Sequence, residues 1–196
     1  YVALGTALIG DKIAVKLSTG EPPASNYLDP ALIAELVRQV NGTIVENNTA
    51  YGGQRSGTAM HYQVAEDHGF TAIADFVVMD ENGSVSLPVE GGTRLTENLV
   101  GALDGNIFYI SVMNRLSIDC DCDGNPSEPD MHDIGILAST DPVALDQACV
   151  DLIYASKDDT ASLIERIESR NAIHVLEHGE EIGLGTRTYR LVNCDD

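Results

Sequence analysis

A chain of 196 residues is long enough to bury a real core, as one domain or as a domain with a small appendage. Its 31 acidic against 11 basic residues give a formal charge of -20, which repels phosphate backbones and anionic bilayers, so neither nucleic acid nor membrane is an expected partner. No apolar run approaches the roughly 20 residues needed to cross a bilayer, and no signal peptide is evident from Tyr1 onward.

In chain order, residues 12–17 (KIAVKL) read as a first strand and residues 18–28 as a polar loop. Asp29 caps a helix, Pro30 takes its first position, and Leu32, Ile33, Leu36, Val37 and Val40 form its buried stripe before Asn41-Gly42 ends it. Residues 43–46 give a second strand, and a helix over 58–68 follows a second polar loop. This βαβα order predicts an α/β fold with a mostly parallel sheet covered by helices. Residues 76–79 and 85–89 flank Asp80-Glu81-Asn82-Gly83 and predict a β-hairpin excursion with Asn-Gly at its turn. Residues 107–112 and 134–138 are further strands. Asp141 and Pro142 then open a helix whose Val143, Leu145, Ala148, Cys149, Leu152 and Ile153 face inward. Helices over 161–169 and 172–181 and a last strand over 188–192 complete the reading of the whole chain as a single α/β domain.

Ligands of open parallel sheets collect where loops leave the carboxyl ends of strands. That rule selects the proline-stiffened loop 18–28 and the loop 47–57. In the second, Asn48, Thr49, Tyr51, Gly52, Gly53, Arg55 and Ser56 combine backbone access with a guanidinium fork and are candidates for binding a small anionic ligand or cofactor. It is neither a Walker loop nor a dinucleotide fingerprint, and the alternative is a solvated connection with Arg55 paired to a carboxylate.

The third selected segment, Asp119-Cys120-Asp121-Cys122-Asp123-Gly124, puts two thiols and three carboxylates into five consecutive residues. On an extended chain Cys120 and Cys122 point the same way and could clamp one zinc or iron ion, with Asp119, Asp121 or His132 completing the shell and Asp133 orienting His132. Asp119, Asp121, Asp123 and Asp130 also match the spacing of a calcium loop, although the strand before it and Pro126 and Pro129 after it deny the flanking helices. An acidic surface turn is the plain alternative. Cys120 and Cys122 are too close to pair comfortably with each other, Cys149 lies on an apolar helix face and Cys194 is near the end, so a reducing, cytoplasmic setting is expected. His61 lies on the helix after the second loop, while His68, His174 and His178 sit near helix ends.

Several separated blocks resemble the domain of unknown function 362 family: residues 12–21, Asn26-Tyr27-Leu28, residues 48–55, Asp119-Cys120-Asp121-Cys122, residues 133–144 and residues 182–186. The resemblance covers most of the chain. It implies an α/β fold and metal or cofactor handling, since many members carry an inserted ferredoxin-like unit and the family is distantly similar to the lactate racemase apoprotein group. This chain departs from that pattern. No Cys-x-x-Cys occurs, and residues 89–101 run almost directly into 102–106, so an iron-sulfur cluster requires an insert missing near residues 97–105. The expectation is a metal-binding protein, a redox or cofactor-handling enzyme among the readings. A calcium-stabilised binding domain and an electron-transfer partner lacking its ferredoxin unit are the alternatives.

Overall fold

The computed structural model describes residues 4–5, 7–11, 13–82, 106–158 and 161–195. By its contacts the chain divides into two compact units. One comprises Ile9–Pro88 with Asp119–Ser127, the other Tyr1–Leu8, Val89–Ile118 and Glu128–Asp196. The α/β class expected from the sequence is found.

In the unit built on Ile9–Pro88, β1 (Ile13–Lys16), β2 (Gly42–Glu46) and β3 (Phe76–Val78) form a parallel sheet in that order, with Val15 opposite Ile44 and Val45 opposite Val77. Parallel neighbours need crossovers, and the helices supply them: α1 (Pro30–Gln39) between β1 and β2, then α2 (Thr58–Asp67) and a 3₁₀ turn at Phe70–Ala72 between β2 and β3. The α1 start is the one expected, with the Asp29 carboxylate accepting the Ala31 amide at 2.9 Å and Pro30 opening the helix. Its stripe is narrower than expected. Ile33 and Val37, four residues apart, are buried, whereas Leu32 is 46% exposed because it lies a full residue step round the helix from that row. The core joins Ile44, Ala65, Phe70, Phe76 and Val78. Burying Phe70 completely stabilises the fold by about 2 to 3 kcal/mol.

In the other unit, β4 (Tyr109–Met113) and β5 (Gly135–Ser139) pair antiparallel, Tyr109 opposite Ser139 and Met113 opposite Gly135. Three helices follow: α3 (Pro142–Ala155), α4 (Ala161–Ser169) and α5 (Ile173–Glu181). Met113, Met131, Ile153 and Leu163 form its core, with Cys149 and Leu152 half-buried against them. Asp141 has two tasks. Its Oδ1 accepts the Val143 and Ala144 amides at 2.9 and 3.0 Å, capping α3, while Oδ2 accepts the Thr186 amide at 2.8 Å. A Cβ on Gly185 would collide with that carboxylate, which is why a residue without one stands there.

Residues 107–112 and 134–138 supply strands as expected, and these pair with each other. One expectation is corrected: residues 188–192 form no strand. Side chains fasten this stretch to α3 instead, with Tyr189 OH donating to Asp151 Oδ2 at 2.7 Å and Arg187 Nε to Gln147 Oε1 at 2.8 Å. The second arm of the expected hairpin (85–89), Gly83 of its turn and the junction near 97–105 lie outside the described residues. Among the described residues, no helix is long and apolar enough to cross a membrane.

Candidate functional site: a buried ion network under an acidic cysteine loop

The carboxyl ends of β1 and β2 open into the two loops that the sequence selects, and Glu46 is the last residue of β2. An apolar strand that ends in a carboxylate carries it to the sheet edge, and here the residue is only 4% exposed. Glu46 Oε2 accepts from the Thr19 amide at 2.9 Å and the Thr19 hydroxyl at 2.7 Å, and His61 Nε2 donates to it at 3.0 Å. Arg55 Nη1 donates to Oε1 at 2.8 Å. Burial alone would raise the Glu46 carboxyl, but the hydrogen bonds from His61 and Thr19 and the charge of Arg55 outweigh it and hold it at about 2.

Arg55 sits in a 3₁₀ turn (Gln54–Ser56) and is 2% exposed. Its three nitrogens are all engaged: Nε with Glu21 Oε2 at 3.2 Å, Nη1 also with the Ser18 hydroxyl at 2.6 Å, and Nη2 with Tyr51 OH at 2.6 Å. Asp121 Oδ2 lies 3.7 Å away and also accepts from Ser18. Burial opposes the guanidinium charge, and the carboxylates of Glu46 and Glu21 overcome this and raise its pKa. Glu21 also accepts the Gln54 amide, and a Cβ on Gly53 would stand 2.5 Å from Glu21 Oε1. The glycine is therefore needed for the carboxylate's approach. His61, fully buried on α2, places Nδ1 3.2 Å from Asn48 Oδ1, and Asn48 Nδ2 donates to the Thr58 hydroxyl at 2.9 Å.

The anion clamp expected at loop 47–57 thus has its donors turned inward. Asn48 N donates to Asp80 and Thr49 N to the Arg55 carbonyl, while Ser56 donates to the Gly53 carbonyl through both its amide and its hydroxyl. Tyr51 serves Arg55, and Gly52 is exposed with open space beside it. Arg55 is neutralised by buried carboxylates. Glu21, Glu46, Thr19 and His61 complete the network. None of these four was singled out as a site residue from the sequence, although a glutamate closing an apolar strand at the sheet's ligand edge was a signal for Glu46.

Segment 119–127 belongs to the same unit and is fastened to the β1 loop by its backbone: the Glu21 amide donates to the Asp121 carbonyl at 2.8 Å, and the Ala24 amide to the Gly124 carbonyl at 3.2 Å. A Cβ on Gly124 would strike the Pro22 carbonyl. Cys120 and Cys122 are both exposed and are joined by a disulfide, their Cα atoms 5.2 Å apart. This corrects the expectation that they are too close to pair, and the inference of a reducing compartment loses that premise. One intervening residue suffices because the chain folds back at this turn, where the Asp123 amide donates to the Cys120 carbonyl at 3.0 Å.

The carboxylates of the loop have separate partners. Asp119 Oδ2 accepts the Ser127 amide, Asp121 faces Ser18 and Arg55, and Asp123 Oδ1 accepts the Asn125 amide. His132, 91% exposed, has Nδ1 2.7 Å from Asp158 Oδ1 and donates its amide to Asp158 Oδ2 at 2.8 Å. Those bonds, the backbone one first, lower the Asp158 pKa. The expected orienting residue, Asp133, instead accepts the Arg115 amide. Among the described residues, no group of three or more His, Cys, Asp or Glu is arranged to hold a metal ion.

Comparison with curated proteins and with solved structures returned no match. Residues 90–151, a span that contains β4, the acidic cysteine loop, β5 and the start of α3, match the model of the family described as Domain of unknown function (DUF362).

Proposed function

We propose that this chain is a metal-binding domain that takes a thiophilic cation, zinc or ferrous iron, on the reduced sulfurs of Cys120 and Cys122. The observation that carries the reading is the meeting of the two sulfurs at one exposed point of a loop fastened to the ligand edge of the parallel sheet. Two thiolates directed at one point suit a soft or borderline ion, and Asp119 is the adjacent hard ligand. Exposure leaves further coordination positions open to water or to a small ligand, as a redox or cofactor-handling enzyme requires. The acidic surroundings favour cation approach, since three aspartates lie within the same five residues and the chain carries a formal charge of -20. In this reading the Arg55 network does not bind the ligand. It forms the rigid floor that fixes Asp121, and with it the cysteines on either side.

The test is anaerobic titration of the reduced protein with cobalt(II). Stoichiometric growth of thiolate-to-cobalt charge-transfer absorption, lost in both Cys120→Ser and Cys122→Ser, is the expected result. Absence of that band, or its persistence in both variants, overturns the proposal.

A further inference from the structure

We propose that Cys120 and Cys122 form a reversible dithiol–disulfide centre that exchanges with neutral or cationic thiols. The redox step stands without any metal; only its consequence, that oxidation closes the cation site, rests on the function proposed above.

Three observations lead here. Both cysteines are exposed, so an attacking thiolate reaches either sulfur without the fold opening. The bridge spans a single residue, and a loop that short removes little entropy from the unfolded chain, so the bond serves poorly as a staple. Finally, the loop is held by contacts that do not use the sulfurs. These are the Glu21 amide on the Asp121 carbonyl, the Ala24 amide on the Gly124 carbonyl, and the Asp121 carboxylate beside Ser18 and Arg55. Opening the bond leaves that framework in place and both thiols ready to re-form it.

The exchange balances with two equivalents of a monothiol. The first, as thiolate, attacks one sulfur; the S–S bond breaks, and the other sulfur leaves as a thiolate and takes up a proton. The second equivalent attacks the mixed disulfide, releasing the oxidised small-molecule disulfide and a protein dithiol. Asp119, Asp121 and Asp123 flank the pair, so an anionic thiol approaches against like charge while a cationic one is drawn in.

The experiment equilibrates the native full-length chain in buffers of graded dithiothreitol redox ratio, with chelator present, then quenches with acid, alkylates, and reads the peptide containing both cysteines by mass spectrometry. Reading that peptide alone excludes the free thiols of Cys149 and Cys194. The expected result is one two-electron transition, from unlabelled to doubly labelled, reversed on reoxidation. Full labelling at every ratio, or none under strongly reducing native conditions, overturns the proposal. At low salt a cationic aminothiol should open the bond several-fold faster than an anionic mercaptocarboxylate of matched thiol pKa, the rates converging as salt rises; equal rates at low salt overturn the charge preference. A redox transition without cobalt binding sinks the proposed function and leaves this inference standing. Cobalt binding by chemically reduced protein that never re-forms the bond does the reverse.

Discussion

Replacing Glu46 with Gln keeps the side chain's shape and removes its charge from the centre of the buried network. The carboxyl is held at about 2 against an ordinary 4.5, so its ionised form is worth about 3 kcal/mol to the folded state. The variant also leaves Arg55 buried with less compensation, as breaking one partner of a buried pair does, and the total expected loss at neutral pH is about 3 to 5 kcal/mol. Because the folded-state value is depressed, the stabilisation is fully present above about 4.5 and disappears as pH falls through about 2. Urea unfolding followed by circular dichroism, stepped from neutral pH towards about pH 3, measures both effects. With a slope of about 2 to 3 kcal/mol per molar, the neutral-pH midpoint should fall by about 1 M or more. The gap between wild type and Glu46→Gln should narrow on acidification, since below about 4.5 the unfolded wild type takes up a proton on Glu46 while the folded state, held at about 2, does not. A gap of constant size across that range, or no destabilisation at neutral pH, would refute the assignment of Glu46 as the ionised hub.

Three further outcomes follow from the same contacts. Gly53→Ala places a methyl against Glu21 Oε1 and should cost about 1 to 3 kcal/mol in thermal or urea unfolding; a neutral result would show that Glu21 moves aside freely. Asp141→Ala removes the α3 cap and should cost about 1 to 2 kcal/mol. Thr186 should then show faster amide exchange, because its acceptor is the same carboxylate. Reduction of the Cys120–Cys122 bond, by contrast, should lower stability by only about 1 to 2 kcal/mol, and a much larger drop in unfolding midpoint would mean that the bridge is structural after all.

The parts of the fold that local chemistry dictates were legible in the sequence. Asp29-Pro30 and Asp141-Pro142 start helices because a carboxylate followed by proline satisfies the first turn, and both caps are found. The parallel β1-β2-β3 order follows from strands alternating with helices. Strand partners were less legible: nothing local distinguishes β4 and β5 from additional parallel strands, since pairing is decided by packing on α3 and α4. Residues 188–192 have a strand-like composition, yet Tyr189 and Arg187 find side-chain partners on α3 in place of a ladder. At the site, the loops and the acidic cysteine run were visible, but the partners of Arg55 were not. Glu21 and Glu46 lie 34 and 9 residues from it in sequence, and only the closed sheet edge brings them together. Disulfide formation between Cys120 and Cys122 likewise depends on the turn at Asp121, which spacing alone does not specify.

Elemental analysis of protein purified reduced and without chelator, beside the Cys120→Ser/Cys122→Ser double variant, tests the metal-binding claim most directly. The account predicts stoichiometric zinc or iron in the wild type and its loss in the double variant. Calcium alone, or no metal in either protein, would contradict it.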